Sequence, residues 1–456
     1  MNVRSASRGF PLVAALPLVA VLMLAPGTAD AQVRVLTLDQ AVSTALVSNP
    51  SITASKESGL AARHKEEGSW TGYLPQVVAN MSYKRATANS ALSPWIKLPA
   101  TMSSFGTLLS RETSDSYNNL SASLGINQTI WDFGRTMGAN QAAKAQVVAS
   151  AADVSTTTEA VSLQVIQAYY AVLATREAVL TAEETLGQMQ KHVQQAKIQA
   201  DAGTRQRIDV ARAQSDLATA EMALIRMRNG HLLAKVALDA AMGGDGDAEF
   251  EVVDPPEPAV LELDVEEATR RAVANRPEFR SLAAKVSAAR AGVMAARSAW
   301  FPALQATGGV AWQGYKFTDL PYNWYAGASL TWNALSGVPA HAATQEAQAN
   351  VRSLEALLKS LQVNIRSEAH AAVLAYREAQ QRMQPAAALV ESARQTLALA
   401  EGRYAAGSGS IMEVTDAQAI KVQASSSLIG ARYELQTARA RLLKAIGPAT
   451  SAEVRN

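Results

Sequence analysis

The chain contains two copies of one pattern, and this duplication restricts its fold more than any other feature of the sequence. Short motifs return 227 residues later: Asn49-Pro50 as Arg276-Pro277, and Tyr73-Leu74-Pro75 as Trp300-Phe301-Pro302. Another motif, around Gly203, returns only 204 residues later, around Gly407. The smaller offset indicates a longer insert in the first copy, between Pro75 and Gly203. The chain is therefore predicted to be one structural unit built twice, and its function has to use two similar halves.

The first residues predict export from the cytoplasm. Arg4 and Arg8 precede an apolar run, and Ala29-Asp30-Ala31 forms the small-residue site that a signal peptidase recognises. The apolar run, residues 10–24, is too short for a helix that crosses a bilayer, because such a helix takes about 20 apolar residues. We therefore interpret residues 1–31 as a signal peptide that is cleaved after Ala31.

The composition excludes several classes of function. The chain has no cysteine, which excludes disulfides, thiolate metal sites and a lipid-modified N-terminal cysteine. A net charge of only +2 indicates no concentrated basic face, so nucleic acid is not an expected partner. The sequence shows no nucleophile with a matching base, no phosphate-binding loop and no metal motif. We therefore predict a protein that is not an enzyme and that needs no metal or cofactor.

Two segments predict helices far longer than those of a compact domain. Residues 135–202 contain no proline and end before Gly203, and at 1.5 Å per residue they give a helix of roughly 100 Å. The counterpart, about residues 339–406, ends before Gly407 and contains Pro385, which is expected to kink it. After each glycine the chain returns with apolar residues at heptad spacing, for example Leu217, Ala220 and Leu224 or Leu428, Ala431 and Leu435. Each half is therefore predicted to contain an antiparallel helical hairpin with coiled-coil packing.

Two further helices, about residues 38–72 and 265–299, are predicted to open the two halves. The expected domains are a first repeat, a linker, a second repeat and a C-terminal tail, at residues 32–243, 244–262, 263–447 and 448–456. Within the repeats, β-hairpins are expected at residues 74–134 and 301–335. The turns at the helix tips are expected at Gly203, Gly407 and Gly409.

Four segments alternate between apolar and polar residues, as strands with one apolar and one polar face do. The apolar positions are Val77, Ala79, Met81 and Tyr83; Leu120, Ala122, Leu124 and Ile126; Leu304, Ala306, Gly308, Val310 and Trp312; and Trp324, Ala326, Ala328, Leu330 and Trp332. An open sheet in lipid would leave backbone amides unpaired, so several copies must close it, and three copies would give a twelve-stranded barrel. The alternative from the same residues is a soluble helical protein with two β-hairpins packed on its side.

Tryptophans lie on or beside the ends of these strands. Trp312, Trp324 and Trp332 suit the aromatic belt of a membrane interface. Trp131 lies at a similar level, but core packing where the strands join the helices is its expected role. The sheet is therefore predicted to have the lipid bilayer of the outer membrane as a partner.

Over its whole mature length the chain resembles the TolC family of outer-membrane channels. The resemblance is carried by the doubled Asn49-Pro50 and Arg276-Pro277 motifs, Leu74-Pro75 and Phe301-Pro302, Trp131-Asp132-Phe133-Gly134-Arg135, and the helix tips at 202–214 and 403–418. It implies a mainly α fold with a small β part: duplicated long antiparallel helical hairpins that form an α-barrel tunnel, plus four strands per chain in a trimeric 12-stranded transmembrane β-barrel. It also implies a homotrimer in the cell outer membrane with a long periplasmic extension, bound to a periplasmic adaptor protein and an inner-membrane transporter.

The resemblance further implies that acidic side chains narrow the pore at the helix tips. Matching of the tip motifs puts Glu413 and Asp416 at these selectivity positions. The two residues are three apart and so share one helix face, which in a trimer would give two rings of carboxylates that favour cations. The alternative is that both are solvated acids near a helix N-terminus, where the helix dipole already favours them.

A lock that holds the tips closed is also implied by the resemblance. Tyr404 and Asp209 match positions of this lock. Some family members have an arginine two residues past the second tip glycine, where this chain has Gly409. Part of the lock is therefore missing, or Arg205 or Arg207 of the first hairpin supplies it.

Together these features predict the outer-membrane channel of a tripartite efflux system, a passive conduit that the adaptor and the inner-membrane pump open. Two alternatives remain at the level of sequence. One is the outer-membrane exit duct of a type I polypeptide secretion system. The other, which is not a channel, is an exported helical scaffold or adaptor subunit.

Overall fold

The computed structural model describes residues 34–87, 116–203, 206–245, 250–256, 260–332 and 337–447. Several sequence predictions lie outside the described residues. These are the signal peptide at 1–31, Arg205, parts of the linker and the C-terminal tail at 448–456.

The two repeats have the same order of elements. The first consists of β1 (Arg34–Leu36), α1 (Leu38–Ser48), α2 (Pro50–Ser69), a 3₁₀ turn (Trp70–Tyr73), β2 (Gln76–Thr87), β3 (Ser116–Trp131), α3 (Arg135–Asp201) and α4 (Arg207–Met242). The second consists of β4 (Phe250–Val252), α5 (Val265–Asn275), α6 (Pro277–Arg297), a 3₁₀ turn (Ser298–Trp300), β5 (Ala303–Gly314), β6 (Tyr322–Thr331), α7 (Gly337–Ala405) and α8 (Ile411–Ile446). The predicted fold class, mainly α with a small β part, is confirmed.

Each opening helix is broken at a proline, so the prediction of two uninterrupted helices was wrong. Pro50 and Pro277 begin new helices, and the residues before them, Asn49 and Arg276, have extended backbones with ψ of 122° and 126°. Proline has no N–H to donate, and it disfavours helical angles in the residue before it. The side chain of Asn49 caps α2 by accepting the N–H two residues on, at 2.9 Å.

The glycine that ends each repeat lies against this break. Helix α4 ends at Gly243 with φ of +89°, and α8 ends at Gly447 with φ of +86°. A Cβ on Gly243 would lie 2.8 Å from the carbonyl oxygen of Ser48, and one on Gly447 would lie 2.6 Å from Cβ of Asn275. The left-handed backbone and the close approach both require glycine here.

The two helical hairpins dominate the molecule. Helix α3 has 67 residues and α7 has 69, so each is roughly 100 Å long. Helix α7 starts two residues earlier than expected and continues through Pro385 without interruption. Gly203 and Gly407 follow the ends of α3 and α7 with φ of +70° and +78°, which lets the chain reverse. None of the described helices combines the length and the apolar character needed to cross a membrane.

Helix α3 is the central element of the packing. It contacts α4 along the first hairpin, α2 along its N-terminal part, and α6 and α8 of the second repeat. Helix α7 packs against α8, α6 and α5. The contacts of α3 with α6 and α8, together with the pairing of β3 with β5, therefore hold the two repeats together.

The main hydrophobic core lies beside a small parallel sheet formed by β1 and β4. Tyr169 of α3 is fully buried there, and its hydroxyl lies 2.9 Å from the carbonyl oxygen of Leu36 and 2.6 Å from that of Val253. Leu173 and Leu238 pack in the same cluster. This contact ties the segment between the repeats to the start of the first repeat.

The larger sheet is antiparallel, with the strand order β2-β3-β5-β6. Its register brings the apolar positions of all four strands onto one face, because Ala79 pairs with Leu124, Leu124 with Val310, and Val310 with Trp324. The polar residues between them share the opposite face. Strands β2 and β6 are the two edges of the sheet.

Candidate functional site

The ends of the two helical hairpins form the candidate site. We call the described residues 184–203, 206–217 and 397–421 the tip region. It contains the residues that the sequence assigns to a gate, apart from Arg205, which lies outside the described residues.

The turn of the second hairpin closes directly on the backbone of Arg403. The N–H groups of Ser408 and Gly409 both donate to the carbonyl oxygen of Arg403, at 3.0 and 2.9 Å. A Cβ on Gly409 would lie 3.0 Å from Cβ of Arg403 and 3.1 Å from the nitrogen of Tyr404. The position where some members of the resembled family have arginine is therefore tightly packed in this chain, which explains the glycine.

Arg403 supplies a positive charge beside the turn. Ser410 caps α8 by accepting the N–H of Glu413 at 3.3 Å, which holds Glu413 in the first turn of the helix. Nη1 of Arg403 lies 3.3 Å from Oε2 of Glu413. The arginine next to this acid thus comes from the same hairpin, whereas Arg205 or Arg207 of the first hairpin was predicted to supply the missing part of the lock. Arg207 is the exposed first residue of α4.

The acidic positions differ in their surroundings. The side chain of Glu413 is 42% exposed and paired with Arg403. Asp416, one turn further along α8, is exposed. Asp209 lies half-buried in the first turn of α4, at the position that corresponds to Glu413 in the first repeat. The starts of both returning helices therefore carry negative charge.

Tyr404 is an interior residue of the second hairpin. It is 3% exposed, and its cluster contains Leu397, Ala400, Ile411, Val414 and Ala417. Both helices of the hairpin contribute to this cluster, because α7 supplies the first two of these neighbours and α8 the other three. The ring therefore helps to hold the second hairpin together as one unit.

Three polar contacts join the first hairpin to the second near the tips, and sequence reasoning missed all of them. Nζ of Lys421 lies 2.6 Å from Oε1 of Glu184. The hydroxyl of Thr415 donates to Oδ2 of Asp216 at 3.1 Å. Nε2 of His192 lies 3.5 Å from Oε1 of Glu401. We call these contacts the inter-hairpin links.

One signal for the shortest link, between Lys421 and Glu184, was present in the sequence. The repeat offset of 204 places Lys421 where the first repeat has Leu217 of its heptad seam. The lysine side chain is only 14% exposed, so its charge is largely removed from water and needs a partner. The partner, Glu184, is more than 230 residues away in sequence, and local spacing does not indicate it.

The tryptophans of the sheet lie towards the two ends of its strands. Trp324 and Trp332 are 72% and 60% exposed on the apolar face, and Trp312 is half-buried beside Tyr322. Trp131, for which core packing was expected, is 59% exposed in the single chain. It lies on the apolar face as well, because it pairs with Leu304.

Comparison of the sequence with known families gives one match over most of the chain. The profile of the family described as Outer membrane efflux protein matches residues 41–244 and 268–448. A curated relative, the outer membrane efflux protein BepC of Brucella suis biovar 1 (strain 1330), is 26% identical over 204 residues. That match covers 45% of this chain and 40% of the relative, less than half of its length.

Solved structures of outer-membrane channels have a similar fold. The outer-membrane channel OprN superposes with a TM-score of 0.76 at 20% identity, over 90% of each chain. The CmeC channel of Campylobacter jejuni gives 0.77 at 18% identity, over 90% of this chain and 85% of that one. The open state of the MtrE channel of Neisseria gonorrhoeae gives 0.70 at 19% identity, over 90% and 88%. At these identities the similarity concerns the fold alone.

Proposed function

Because this chain belongs to the outer membrane efflux protein family, we propose that it is the outer-membrane channel of a tripartite efflux system. It is a passive trans-periplasmic conduit that a periplasmic adaptor and an inner-membrane transporter open. The proposal depends on one observation, which is that the chain combines a membrane-type sheet with very long helices. A four-stranded sheet with one apolar face continues into helical hairpins of roughly 100 Å.

The exposed edges of the sheet support a homotrimer. Strands β2 and β6 have no further partner strand within the described chain, and in lipid each unpaired backbone group costs several kcal/mol. Pairing of β6 with β2 of the next copy removes both edges. The smallest membrane barrels have eight strands, so four strands per chain need at least two copies, and three copies give twelve.

The polar face of the sheet suits a water-filled lumen. Hydroxyls of Ser82 and Ser121 lie 2.8 Å apart on this face. A Cβ on Gly309 would lie 3.0 Å from the hydroxyl of Tyr325, so the tyrosine lies against the wall of the sheet. Below the barrel, the helical hairpins would carry the passage most of the way across the periplasm.

The tip region is the proposed gate. With Tyr404 in its interior, the second hairpin moves as a unit, and the inter-hairpin links hold it against the first hairpin. Opening requires these links to break. Asp209 lies at the start of the first returning helix, and together with Arg205 and Arg207 it is proposed to extend the lock towards the neighbouring copy. Glu413 and Asp416 are proposed to form the rings that select cations.

Electrical recording tests the channel directly. Purified protein added to a planar lipid bilayer should give discrete conductance steps, and deletion of the coding sequence should raise the accumulation of a fluorescent efflux dye in whole cells. Absence of conductance, with the protein soluble after lysis, would overturn the proposal in favour of an exported scaffold. Normal dye efflux in the deletion strain, with loss of an exported polypeptide, would instead identify a type I secretion duct.

A further inference from the structure

A second group of aromatic side chains surrounds the junction of the sheet with the helices. We call this group the collar, and its members are Trp70, Trp131, Phe133, Trp300, Phe301 and Trp332. Their side chains are all 41–60% exposed. Only Trp332 among them was expected at a membrane interface.

The collar is held together by specific contacts. The rings of Phe133 and Phe301 stack, with centroids 4.9 Å apart and planes 12° apart. Trp131 meets Phe133 edge to face at 6.0 Å, and the indole N–H of Trp332 donates to the carbonyl oxygen of Trp300 at 3.3 Å. Phe133 has φ of +53°, a left-handed conformation that is strained for a residue with a side chain. The strained backbone places the ring in the stack.

The distance between the collar and Trp324, at the other end of the apolar face, suits the thickness of an outer membrane. Trp131 pairs with Leu304 and Leu304 with Leu330, so Trp131 and Trp332 lie at the same end of the apolar face. Trp324 lies at the other end of this face, eight residues before Trp332. Eight residues span about 27 Å along a strand, or about 20 Å along the membrane normal after strand tilt. The apolar band of outer-membrane barrels is about 25 Å tall and has aromatic girdles at both ends.

Two of the helix segments below the collar, in α3 and α6, are basic. Residues 135–152 and 279–300 contain six lysines and arginines and no aspartate or glutamate. Lys285 and Arg290 are used in ion pairs with Asp153 and Glu355. Near the collar, Arg135, Lys144 and Arg297 are exposed. The end of α2 carries Glu66 and Glu67, and Oε2 of Glu67 lies 2.9 Å from Nδ1 of His64.

One of these basic groups contacts the collar itself. Nζ of Lys144 lies 5.0 Å from the ring centroid of Trp70, a cation–π distance. An aromatic ring at the level of lipid headgroups and a cation beside it are the two elements that bind a lipid phosphate at a membrane surface. Asp132, between two collar residues, accepts the N–H of Thr136, and Glu67 contacts His64. Three exposed basic groups therefore remain for a ligand at this level, and a negatively charged headgroup fits them better than a zwitterionic one.

We propose that the collar, with Arg135, Lys144 and Arg297, binds the headgroups of anionic phospholipids in the periplasmic leaflet of the outer membrane. This inference rests on the proposed function, because it requires the sheet to lie in the membrane and the helices to lie in the periplasm. The collar then fixes the depth of the barrel in the membrane, and the basic groups make the binding of a phospholipid depend on the charge of its headgroup.

Native mass spectrometry of the full chain in detergent tests this proposal. The protein is incubated with equal amounts of phosphatidylglycerol and phosphatidylcholine. The wild type should retain phosphatidylglycerol in preference. The variant with Arg135→Gln, Lys144→Gln and Arg297→Gln should lose the preference by tenfold or more, since each basic group near an anionic surface contributes about fivefold. The matched control, Lys56→Gln with Arg352→Gln and Lys359→Gln, removes three exposed charges away from the collar and should behave like the wild type.

The outcomes separate this inference from the proposed function. Equal retention of phosphatidylglycerol by the wild type and the triple variant would overturn the inference, while bilayer conductance of both would leave the channel intact. Displacement of phosphatidylglycerol by excess inorganic phosphate would overturn it too, because the site would then bind free anions. If the triple variant fails to fold, Lys144→Gln alone should reduce the preference about fivefold, and an unchanged preference counts against the proposal.

Discussion

At the scale of single residues, Glu159 of α3 is an unusual carboxyl between the two repeats. Its Oε2 is buried and makes no hydrogen bond with any described residue. Burial, followed by the negative charge of Glu278, raises the pKa of Glu159 to about 7, although Arg276 and Lys444 oppose the rise. Near neutral pH this carboxyl is therefore partly protonated.

The raised pKa predicts a pH-dependent stability. The pKa of Glu159 is about 7 in the folded chain and 4.5 as a reference. The folded chain is therefore more stable with this carboxyl protonated, and that extra stability is fully present below pH 4.5 and is lost as the pH rises through 7. Glu159→Gln should remove this dependence and raise the free energy of unfolding at pH 8 by about 1 kcal/mol, a discounted value because solvent screens a half-exposed group. Thermal unfolding at pH 5 and pH 8 measures it, with the exposed Glu57→Gln as control. The prediction fails if Glu159→Gln keeps the pH dependence of the wild type.

Substitution by alanine should have opposite effects at two glycines near the second tip. Gly409→Ala puts a methyl group against the backbone of Arg403, so it should destabilise the turn by about 1–3 kcal/mol and raise the resting conductance. A Cβ added to Gly402, inside α7, meets no atom of the described chain within 4 Å other than its chain neighbours and the adjacent backbone of its own helix. Gly402→Ala should therefore stabilise the helix by up to about 1 kcal/mol. Bilayer recordings and melting curves of both variants check this, and similar behaviour of the two would contradict the packing at Gly409.

At the scale of elements, the inter-hairpin links should control opening. Lys421→Gln removes the link between α8 and α3 and should lower the stability of the closed state by about 1 kcal/mol, a roughly fivefold increase in the open fraction. Arg228→Gln is the matched control, because Arg228 pairs with Glu183 inside the first hairpin, at 2.7 Å. Recordings of resting conductance compare the two. Exchange of the charges, Lys421→Glu with Glu184→Lys, should restore the closed state, and no rescue would show that the link is not the cause.

The start of α8 should determine ion selectivity, with unequal shares for its two acids. Asp416→Asn should reduce cation preference more than Glu413→Gln, because Arg403 already offsets the charge of Glu413. The double variant should approach equal permeability for cations and anions. Reversal potentials across a salt gradient measure this, with Glu57→Gln and Glu346→Gln as controls at distant exposed acids. An unchanged reversal potential in the double variant would remove both residues from the pore.

At the scale of the whole molecule, the alternation of the sheet decides which residues the proposed barrel turns towards lipid. The chain has no native cysteine, so a single introduced cysteine reports its own surroundings. Neighbouring positions in β6 lie on opposite faces, because Ala328 pairs with the apolar position Ala306 and Ser329 with the polar position Gln305. The assembled barrel would therefore hide one of them from water and expose the other.

This arrangement predicts the labelling pattern in intact outer membranes. A membrane-impermeant maleimide should label Ser329→Cys, which the proposed barrel turns towards its water-filled lumen, and should leave Ala328→Cys, turned towards lipid, unlabelled. In denatured protein both should react equally, which controls for expression. Equal labelling of the two in the membrane would contradict the barrel.

Much of this architecture follows from local sequence. The lengths of α3 and α7 were predicted within about two residues. The glycines and prolines that mark helix ends act through their own backbone angles, so they can be read from the local sequence. The apolar faces of the strands followed from a period of two, which depends only on neighbouring residues. The breaks at Pro50 and Pro277 carried the same kind of local signal, and the long helical pattern around them concealed it.

What only the tertiary structure decided was which distant side chains meet. The duplicated sequence determined the two repeats, their helices and the faces of their strands, since periodicity and backbone angles are local properties. The pairing of Lys421 with Glu184 and the raised pKa of Glu159 depend on contacts between segments far apart in the chain. Such contacts, and the desolvation that accompanies them, are set by the packing of α3 against the second repeat, which no local pattern specifies.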